Sequence, residues 1–152
     1  MIVILVKERM TPTPITIHPN ASLAEARACL DQHRIRHLPA IEKGRLVGII
    51  TDRDIRSAAS LSSLDKVKVA DAMTRSVITV SPDTQVQVAA KLMLTHRIGG
   101  LPVVKKGELL GIITETDLLN ALVEIMDLAT IERISPDYQR RTMTVPMADL
   151  DG

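Results

Sequence analysis

The chain has 152 residues and a formal net charge of +1, with 45% hydrophobic and 24% charged residues. This composition is typical of a globular protein and excludes an intrinsically disordered chain. Acidic and basic residues are mixed along the chain and Tyr138 is the single aromatic residue, so both the basic surface and the stacking rings of a nucleic-acid-binding protein are missing.

The sequence contains few features that would indicate targeting or disulfide chemistry. Cys29 is the single cysteine, which excludes an internal disulfide and fits a reducing compartment. The apolar run 2–6 is too short for the hydrophobic region of a signal peptide, and no basic residue precedes it. No stretch approaches the ~20 apolar residues that a membrane-spanning helix requires. We therefore expect a cytoplasmic protein that contacts no membrane and no nucleic acid.

The first third of the chain predicts a helix between short extended segments. Ser22 and Glu25 have the spacing of a capping box, and apolar residues follow at helical intervals. Each proline in the Thr-Pro-Thr-Pro run 11–14 favours extended backbone in the residue before it. The expected elements are a strand or apolar lead-in over 2–5, a helical turn over 6–10, a strand over 15–17 and a helix over 23–33.

A β-hairpin and a second helix should follow. Residues 37–41 and 46–51 predict two strands joined by a turn at Gly44. Thr51 is the expected N-cap of a helix over 52–59. A polar, serine-rich linker over 60–68 then separates this segment from the rest of the chain.

The whole pattern recurs 63 positions later without a gap between Thr11 and Asp54. Residues 46–54 read LVGIITDRD and residues 109–117 read LLGIITETD. We expect Asp83 to cap a helix ending near His96, strands over 101–104 and 109–114, and a longer last helix after Thr114. The predicted domains are repeat 1 over 1–59, a linker over 60–68, repeat 2 over 69–126, and a C-terminal tail over 127–152 that is partly mobile or an oligomerisation arm.

One repeat of about 60 residues buries too little surface to be stable alone, so two copies should share a core with pseudo-twofold symmetry. A β-α-β-β-α order with Leu-Pro, a glycine turn and Gly-Ile-Ile-Thr-x-x-Asp resembles the CBS (cystathionine β-synthase) domain. Two such repeats resemble a Bateman module, and the lead-in resembles the CBS half of acetoin-utilisation-type proteins. The resemblance covers residues 6–122.

This resemblance implies an α+β fold of two pseudo-symmetric repeats packed through their sheets. It also implies a regulatory module that binds AMP, ADP, ATP or S-adenosylmethionine in a cleft between the repeats, forms a homodimer and modulates a partner protein or its own assembly. The alternative is a structural oligomerisation scaffold with degenerate clefts. We expect no enzymatic activity and no metal, because the sequence has no nucleophile elbow, no phosphate-binding loop and no metal-ligand spacing.

In the family pattern, the Asp of Thr-x-x-Asp binds the ribose hydroxyls and the Thr helps to hold ribose or phosphate. The matching pairs are Thr51 with Asp54 and Thr114 with Asp117. The same spacing is also that of an ordinary helix N-cap, and a carboxylate can serve both roles. By the same resemblance, the adenine base is lined by Ile15, Thr16, Ile17, Ile35, Arg36 and His37 in repeat 1, and by Ile78, Thr79, Val80, Ile98, Gly99 and Gly100 in repeat 2.

The repeats differ where phosphate would bind, immediately before each Leu-Pro. The resemblance implies that cations here reach the ligand held by the other repeat's Asp. Arg36 and His37 would then clamp phosphate at the Asp117 site. The Asp54 site would face Gly99 and Gly100, with space but without charge, and would take an uncharged adenosine-like group, accommodate a polyphosphate or stay empty. A solvated surface role for Arg36 is the alternative.

Overall fold

The computed structural model describes residues 2–131, with side chains described as far as Leu128. The chain divides into two compact units, Met1–Glu115 and Thr116–Gly152. The last helix continues to Ile131, so it includes the first five residues of the predicted C-terminal tail. The rest of that tail, residues 132–152, lies outside the described residues.

Over residues 2–131 the structure has five helices and five strands, and each repeat contains a helix, a two-stranded hairpin and a second helix in the predicted order. The helices are α1 (Leu23–His33), α2 (Asp52–Ala59), α3 (Val69–Ala72), α4 (Val86–His96) and α5 (Glu115–Ile131), with 3-10 turns over Val6–Glu8 and Leu64–Lys66. The strands are β1 (Thr11–Pro12), β2 (His37–Glu42), β3 (Arg45–Thr51), β4 (Gly100–Lys105) and β5 (Glu108–Thr114). The mixed α and β class is confirmed.

Reciprocal capping fixes the start of α1 and of α2. The Ser22 hydroxyl accepts the Glu25 amide at 3.1 Å, and a Glu25 carboxylate oxygen accepts the Ser22 amide at 3.2 Å. At α2, the Thr51 hydroxyl accepts the Asp54 amide at 3.2 Å, and Asp54 Oδ2 accepts the Thr51 amide at 3.0 Å. Both arrangements satisfy amides that the first helical turn leaves without intrahelical partners.

Each repeat folds its two long strands into the same antiparallel hairpin. β2 pairs with β3 and β4 pairs with β5, with a register irregularity after Ala40 in one and after Val103 in the other. Each turn contains a Lys-Gly pair at positive φ, with Gly44 at 75° and Gly107 at 77°. Glycine adopts this conformation without steric cost, as the sequence predicts.

The two repeats exchange their lead-in segments. Strand β1 pairs with β5 of the second repeat, and the Val6 amide donates to the Thr84 carbonyl at 2.7 Å. Conversely, Thr74 exchanges two backbone hydrogen bonds with Ile49 on β3. Each hairpin is thus completed at its edge by residues from the lead-in segment of the other repeat.

The core of the first repeat includes this exchanged segment. It is a cluster of buried aliphatic side chains from α1, the hairpin and α2, joined by Val69 and Met73 from the lead-in of the second repeat. Cys29 packs against the same cluster as a free, half-buried thiol. Within the described part of the chain, no helix has the length and apolar character needed to cross a bilayer.

Two local predictions are wrong. The strand predicted over 15–17 is reduced to one bridge between Ile17 and Ala40, because only Ile17 lies close enough to β2 to share backbone hydrogen bonds. Asp83 does not cap α4: the N-cap is Gln85, whose side chain makes no capping hydrogen bond, and Asp83 instead forms an ion pair with Lys7 at 3.1 Å. Gln85 occupies the repeat position of Ser22.

Candidate ligand-binding site

A cavity of about 330 Å³ lies within the Met1–Glu115 unit, where the two hairpins meet. Its volume is within the range of small-molecule sites. We call it the Asp54 cavity. It is lined by Arg36, His37, Ile49, Thr51, Asp52, Arg53, Asp54, Arg56, Thr74, Ser76, Val77, Ile78, Arg97, Ile98, Gly99, Gly100 and Glu115.

Thr51 and Asp54 enter the cavity at the start of α2. Their reciprocal hydrogen bonds hold both side chains in place and confirm the helix-cap interpretation of this pair. The cap uses Oδ2 of Asp54, and the described residues supply no hydrogen bond to Oδ1. A carboxylate oxygen accepts hydrogen bonds from hydroxyl groups, and the α2 N-terminus favours negative charge nearby.

The His37 side chain packs on the backbone of the Gly99-Gly100 pair. A Cβ atom on Gly100 would lie 2.9 Å from His37 Cδ2, and one on Gly99 would lie 3.5 Å from His37 Nε2. Contacts near 3 Å are too close for a methyl group, so this position of the imidazole requires glycine at residue 100. The segments that precede the two Leu-Pro pairs therefore meet directly.

Among the described residues, the arginines that line the cavity without an ion pair outnumber the acidic groups that line it without one. Arg36, Arg53 and Arg97 line it, and Arg97 is held at the end of α4 in a left-handed conformation with φ 54°. The third acidic residue, Asp52, is already neutralised by ion pairs with Arg27, at 2.6 Å, and with Arg56. The hydrogen bond from Arg27 lowers the pKa of Asp52, and Arg56 adds to this effect against the opposing cost of burial.

His37 is a titratable group beside these arginines. Burial lowers the pKa of its imidazole below the usual range; the carboxylates of Glu115 and Asp54 oppose this shift, and the Arg36 guanidinium reinforces it. The imidazole is therefore mainly neutral near pH 7, when it can donate one hydrogen bond and accept another.

The prediction that the Asp54 side has no charge is wrong. Arg36 and His37, which the sequence assigned to the Asp117 side, line the Asp54 cavity together with Gly99 and Gly100. The reason is the direct contact between His37 and Gly100, which brings both pre-Leu-Pro segments to one boundary. Arg53 and Arg97 supply additional positive charge.

The other predicted site residues lie elsewhere in the described chain. Ile35 packs against the first core cluster, and Thr16 is exposed. Ile17 and Val80 occupy equivalent positions, each bridging the first long strand of its own repeat. Thr79 lines a different depression, beside the hairpin turns. Thr114 ends β5 and Asp117 lies on α5, and ligand binding by this pair stays a prediction from sequence.

Sequence reasoning missed several residues of the cavity wall. Arg53 lies between Thr51 and Asp54, and Arg97 directly follows the helix that ends at His96. Both positions were visible from the predicted helix boundaries. Thr74 and Ser76 had no such signal, because their place depends on the pairing of Thr74 with Ile49 across the two repeats. No cluster of potential metal ligands occurs among the described residues.

The model of the CBS domain family matches this chain twice, over residues 6–61 and 69–124. The chain belongs to the CBS domain family. The tandem arrangement predicted from the repeat is thereby confirmed.

Solved structures of other CBS proteins have the same fold. The CBS domain pair of protein MJ0100, in complex with 5′-methylthioadenosine and S-adenosyl-L-methionine, is 38% identical with a TM-score of 0.76, covering 81% of this chain and 98% of that one. A putative acetoin utilization protein (AcuB) from Vibrio cholerae is 30% identical with a TM-score of 0.80, covering 86% and 99%. CBSX2 in complex with AMP is 31% identical with a TM-score of 0.70, covering 80% and 98%.

Proposed function

We propose that this CBS pair is a regulatory module that binds an adenine nucleotide in the Asp54 cavity. One observation carries the proposal: the cavity combines a fixed Thr51–Asp54 pair with the Arg36, Arg53 and Arg97 side chains and with segments from both repeats. The complexes of the MJ0100 pair and of CBSX2 support an adenosine-containing ligand.

Each part of a nucleotide has a partner of matching chemistry in this cavity. Oδ1 of Asp54 would accept hydrogen bonds from the ribose hydroxyls while Oδ2 keeps capping α2. The phosphates would lie among the arginines, where bidentate hydrogen bonds are available. The base would pack against aliphatic side chains, since the chain has no Phe or Trp. The apolar side chains of the cavity are Ile49, Val77, Ile78 and Ile98.

The charge of the lining favours AMP, ADP or ATP over S-adenosylmethionine. Three arginines that form no ion pair with the described residues face two acidic groups, Asp54 and Glu115. A sulfonium cation gains nothing from these arginines, whereas a phosphate compensates for their charge. Partial protonation of His37 beside a bound phosphate would add to this preference.

Regulation follows from the position of the cavity between segments of both repeats. A ligand that contacts α2 of one repeat and Gly99-Gly100 of the other changes the relative stability of alternative arrangements of those segments. A difference of 1–3 kcal/mol in binding free energy is enough for such coupling. We propose that this signal reaches a partner protein or a homodimer of the chain. A scaffold with an empty cavity is the competing function.

Thermal unfolding with AMP, ADP, ATP and S-adenosylmethionine tests this proposal on wild type, Asp54→Ala and Glu25→Ala. The two variants lose equivalent helix caps, at a cost of about 1 kcal/mol each, but only Asp54 faces the cavity. A nucleotide at about 100 times its Kd should stabilise the wild type and Glu25→Ala by about 2.7 kcal/mol, a shift of several degrees.

The same nucleotide should leave Asp54→Ala nearly unshifted. An equal shift in Asp54→Ala would place the ligand outside this cavity. If none of the four compounds shifts the wild type, the scaffold function is favoured instead.

A further inference from the structure

A second depression, of about 710 Å³, lies in the Met1–Glu115 unit beside the two hairpin turns. We call it the hairpin groove. It brings the turn between β2 and β3 next to the turn between β4 and β5, with the segment 75–79 along one side. It is lined by Lys43, Gly44, Arg45, Leu46, Arg75, Val77, Thr79, Val104, Lys106, Gly107 and Glu108.

The groove is the more cationic of the two cavities. Four of its side chains are basic (Lys43, Arg45, Arg75 and Lys106), and Glu108 is its one acidic residue. Within the described part of the chain, Lys43, Arg45 and Lys106 form no ion pair, in contrast to Arg56 in the Asp54 cavity. Within the described chain, the single carboxylate of Glu108 therefore leaves most of the positive charge of the hairpin groove uncompensated.

The lysines occupy turn positions that do not favour lysine. Lys43 has φ 51° and Lys106 has φ 52°, each immediately before the turn glycine. Two-residue hairpin turns prefer Asn, Asp or Gly at this position, because Gly has no Cβ to strain positive φ and the Asn and Asp side chains hydrogen-bond to nearby backbone. Turn geometry alone does not explain why both repeats place an ammonium group here.

Arg75 and Val77 connect the groove to its surroundings. Arg75 Nη2 donates to the Ala70 carbonyl at 3.0 Å, which fixes the guanidinium against the end of α3. Val77 lines both the hairpin groove and the Asp54 cavity, so the segment 75–79 is a shared wall. An anion in the groove and a nucleotide in the cavity would contact opposite sides of one segment.

We propose that the hairpin groove binds a small anion that carries two or more phosphate groups. Its cations come from three separate segments around a depression of about 710 Å³, which is larger than one phosphate, so a linear oligophosphate can contact more of them than a single phosphate can. Lysine supplies a point charge and arginine a planar fork for phosphate oxygens. Because all four side chains are exposed, binding weakens as the salt concentration rises.

Calorimetric titration with sodium tripolyphosphate at low ionic strength tests this site. Lys43→Asn/Lys106→Asn removes two charges and keeps a residue that tolerates positive φ, so the fold should be retained. We expect about a tenfold or greater loss of affinity in this double variant. The control, Lys66→Asn/Lys91→Asn, removes two exposed lysines from outside both cavities and should lose much less.

Two further measurements make the test specific. Glu108→Gln removes the one carboxylate of the groove and should strengthen tripolyphosphate binding severalfold, whereas saturating AMP should leave a tripolyphosphate site available. Absence of binding by wild type, or equal weakening in both double variants, would overturn the proposal. So would complete displacement of tripolyphosphate by AMP. The results with the two lysine double variants and with Glu108→Gln do not depend on whether the Asp54 cavity binds nucleotide.

Discussion

The two repeats share helix ends and hairpin geometry but carry different side chains where they meet. Both first helices end at an arginine in the left-handed conformation, Arg34 at φ 53° and Arg97 at φ 54°. Both hairpins have their register irregularity at the equivalent residue. The side chains diverge where the first repeat has Arg36 and His37 and the second has Gly99 and Gly100.

This comparison separates what the repeat requires for folding from what it leaves free. The shared positions determine strand register, turns and helix ends. The differing pair is sterically complementary, since the imidazole of His37 occupies space that a side chain at Gly100 would fill. The shared elements therefore form a symmetric framework, and the differing pair at its junction makes the site asymmetric.

The largest expected effect is a loss of stability, and it tests whether the backbone is packed equally closely around the equivalent glycines Gly48 and Gly111. A Cβ at Gly48 would lie 2.4 Å from Met73 Sδ and 2.9 Å from the Thr74 carbonyl, and one at Gly111 would lie 2.6 Å from Met10 Sδ and 2.8 Å from the Thr11 carbonyl. Gly48→Ala and Gly111→Ala should each destabilise the protein by about 3 kcal/mol, because the neighbouring backbone carbonyl groups cannot shift without a large energetic cost.

Urea unfolding measures both variants, with Gly99→Ala as the control. Its nearest neighbour would be the flexible Glu115 side chain at 3.3 Å, so it should cost less than about 1 kcal/mol. A large loss in only one of the two tight variants would show that the exchanged lead-ins do not support the repeats equally.

A smaller effect should distinguish the two helix starts. Ser22 caps α1 through its side chain, whereas Gln85 at the equivalent position of α4 does not. Ser22→Ala should therefore cost about 1 kcal/mol, and Gln85→Ala should be nearly neutral. Gln85→Ser should stabilise the protein in the same unfolding assay; a loss of stability would mean that α4 cannot accept the cap geometry of α1.

The smallest effect concerns the differing pair and depends on pH. The lowered pKa of His37 means that the unfolded chain binds more protons than the folded chain below the usual histidine pKa of about 6.5. The free energy of unfolding should therefore fall as the pH decreases from about 6.5 to the folded-state pKa of His37. His37→Gln should flatten this dependence between pH 7 and 5; an unchanged slope would assign it to other groups.

Local signals in the sequence predicted most of the fold. The Ser22–Glu25 capping box gave α1 its correct ends, and the repeat gave both hairpins. The error at the start of α4 arose because the residue type of Asp83 was given more weight than its position in the repeat. Asp83 is a good N-cap residue, but the register assigns that position to Gln85. The lead-in exchange was not predictable, because no local pattern specifies which repeat an edge segment joins.

The site was only partly predictable for a related reason. Thr51 and Asp54 were identified as a candidate ligand-binding pair through the family resemblance, and in the structure both line one cavity together with Gly99 and Gly100. The charge of the cavity was missed: Arg53 and Arg97 could have been identified from the predicted helix boundaries, but the place of Arg36 and His37 depends on the contact between His37 and Gly100. Such distances between side chains depend on packing of the two repeats.

The exchange of lead-in segments also sets an order for folding during synthesis. Residues up to Ala59 emerge from the ribosome first, yet the core that they form is closed by Val69 and Met73, and the edge of β3 pairs with Thr74. The first repeat must therefore wait for the beginning of the second before its core is complete. The second repeat, in turn, is completed by strand β1, which is synthesised before it, so β1 must remain accessible until translation has passed β5.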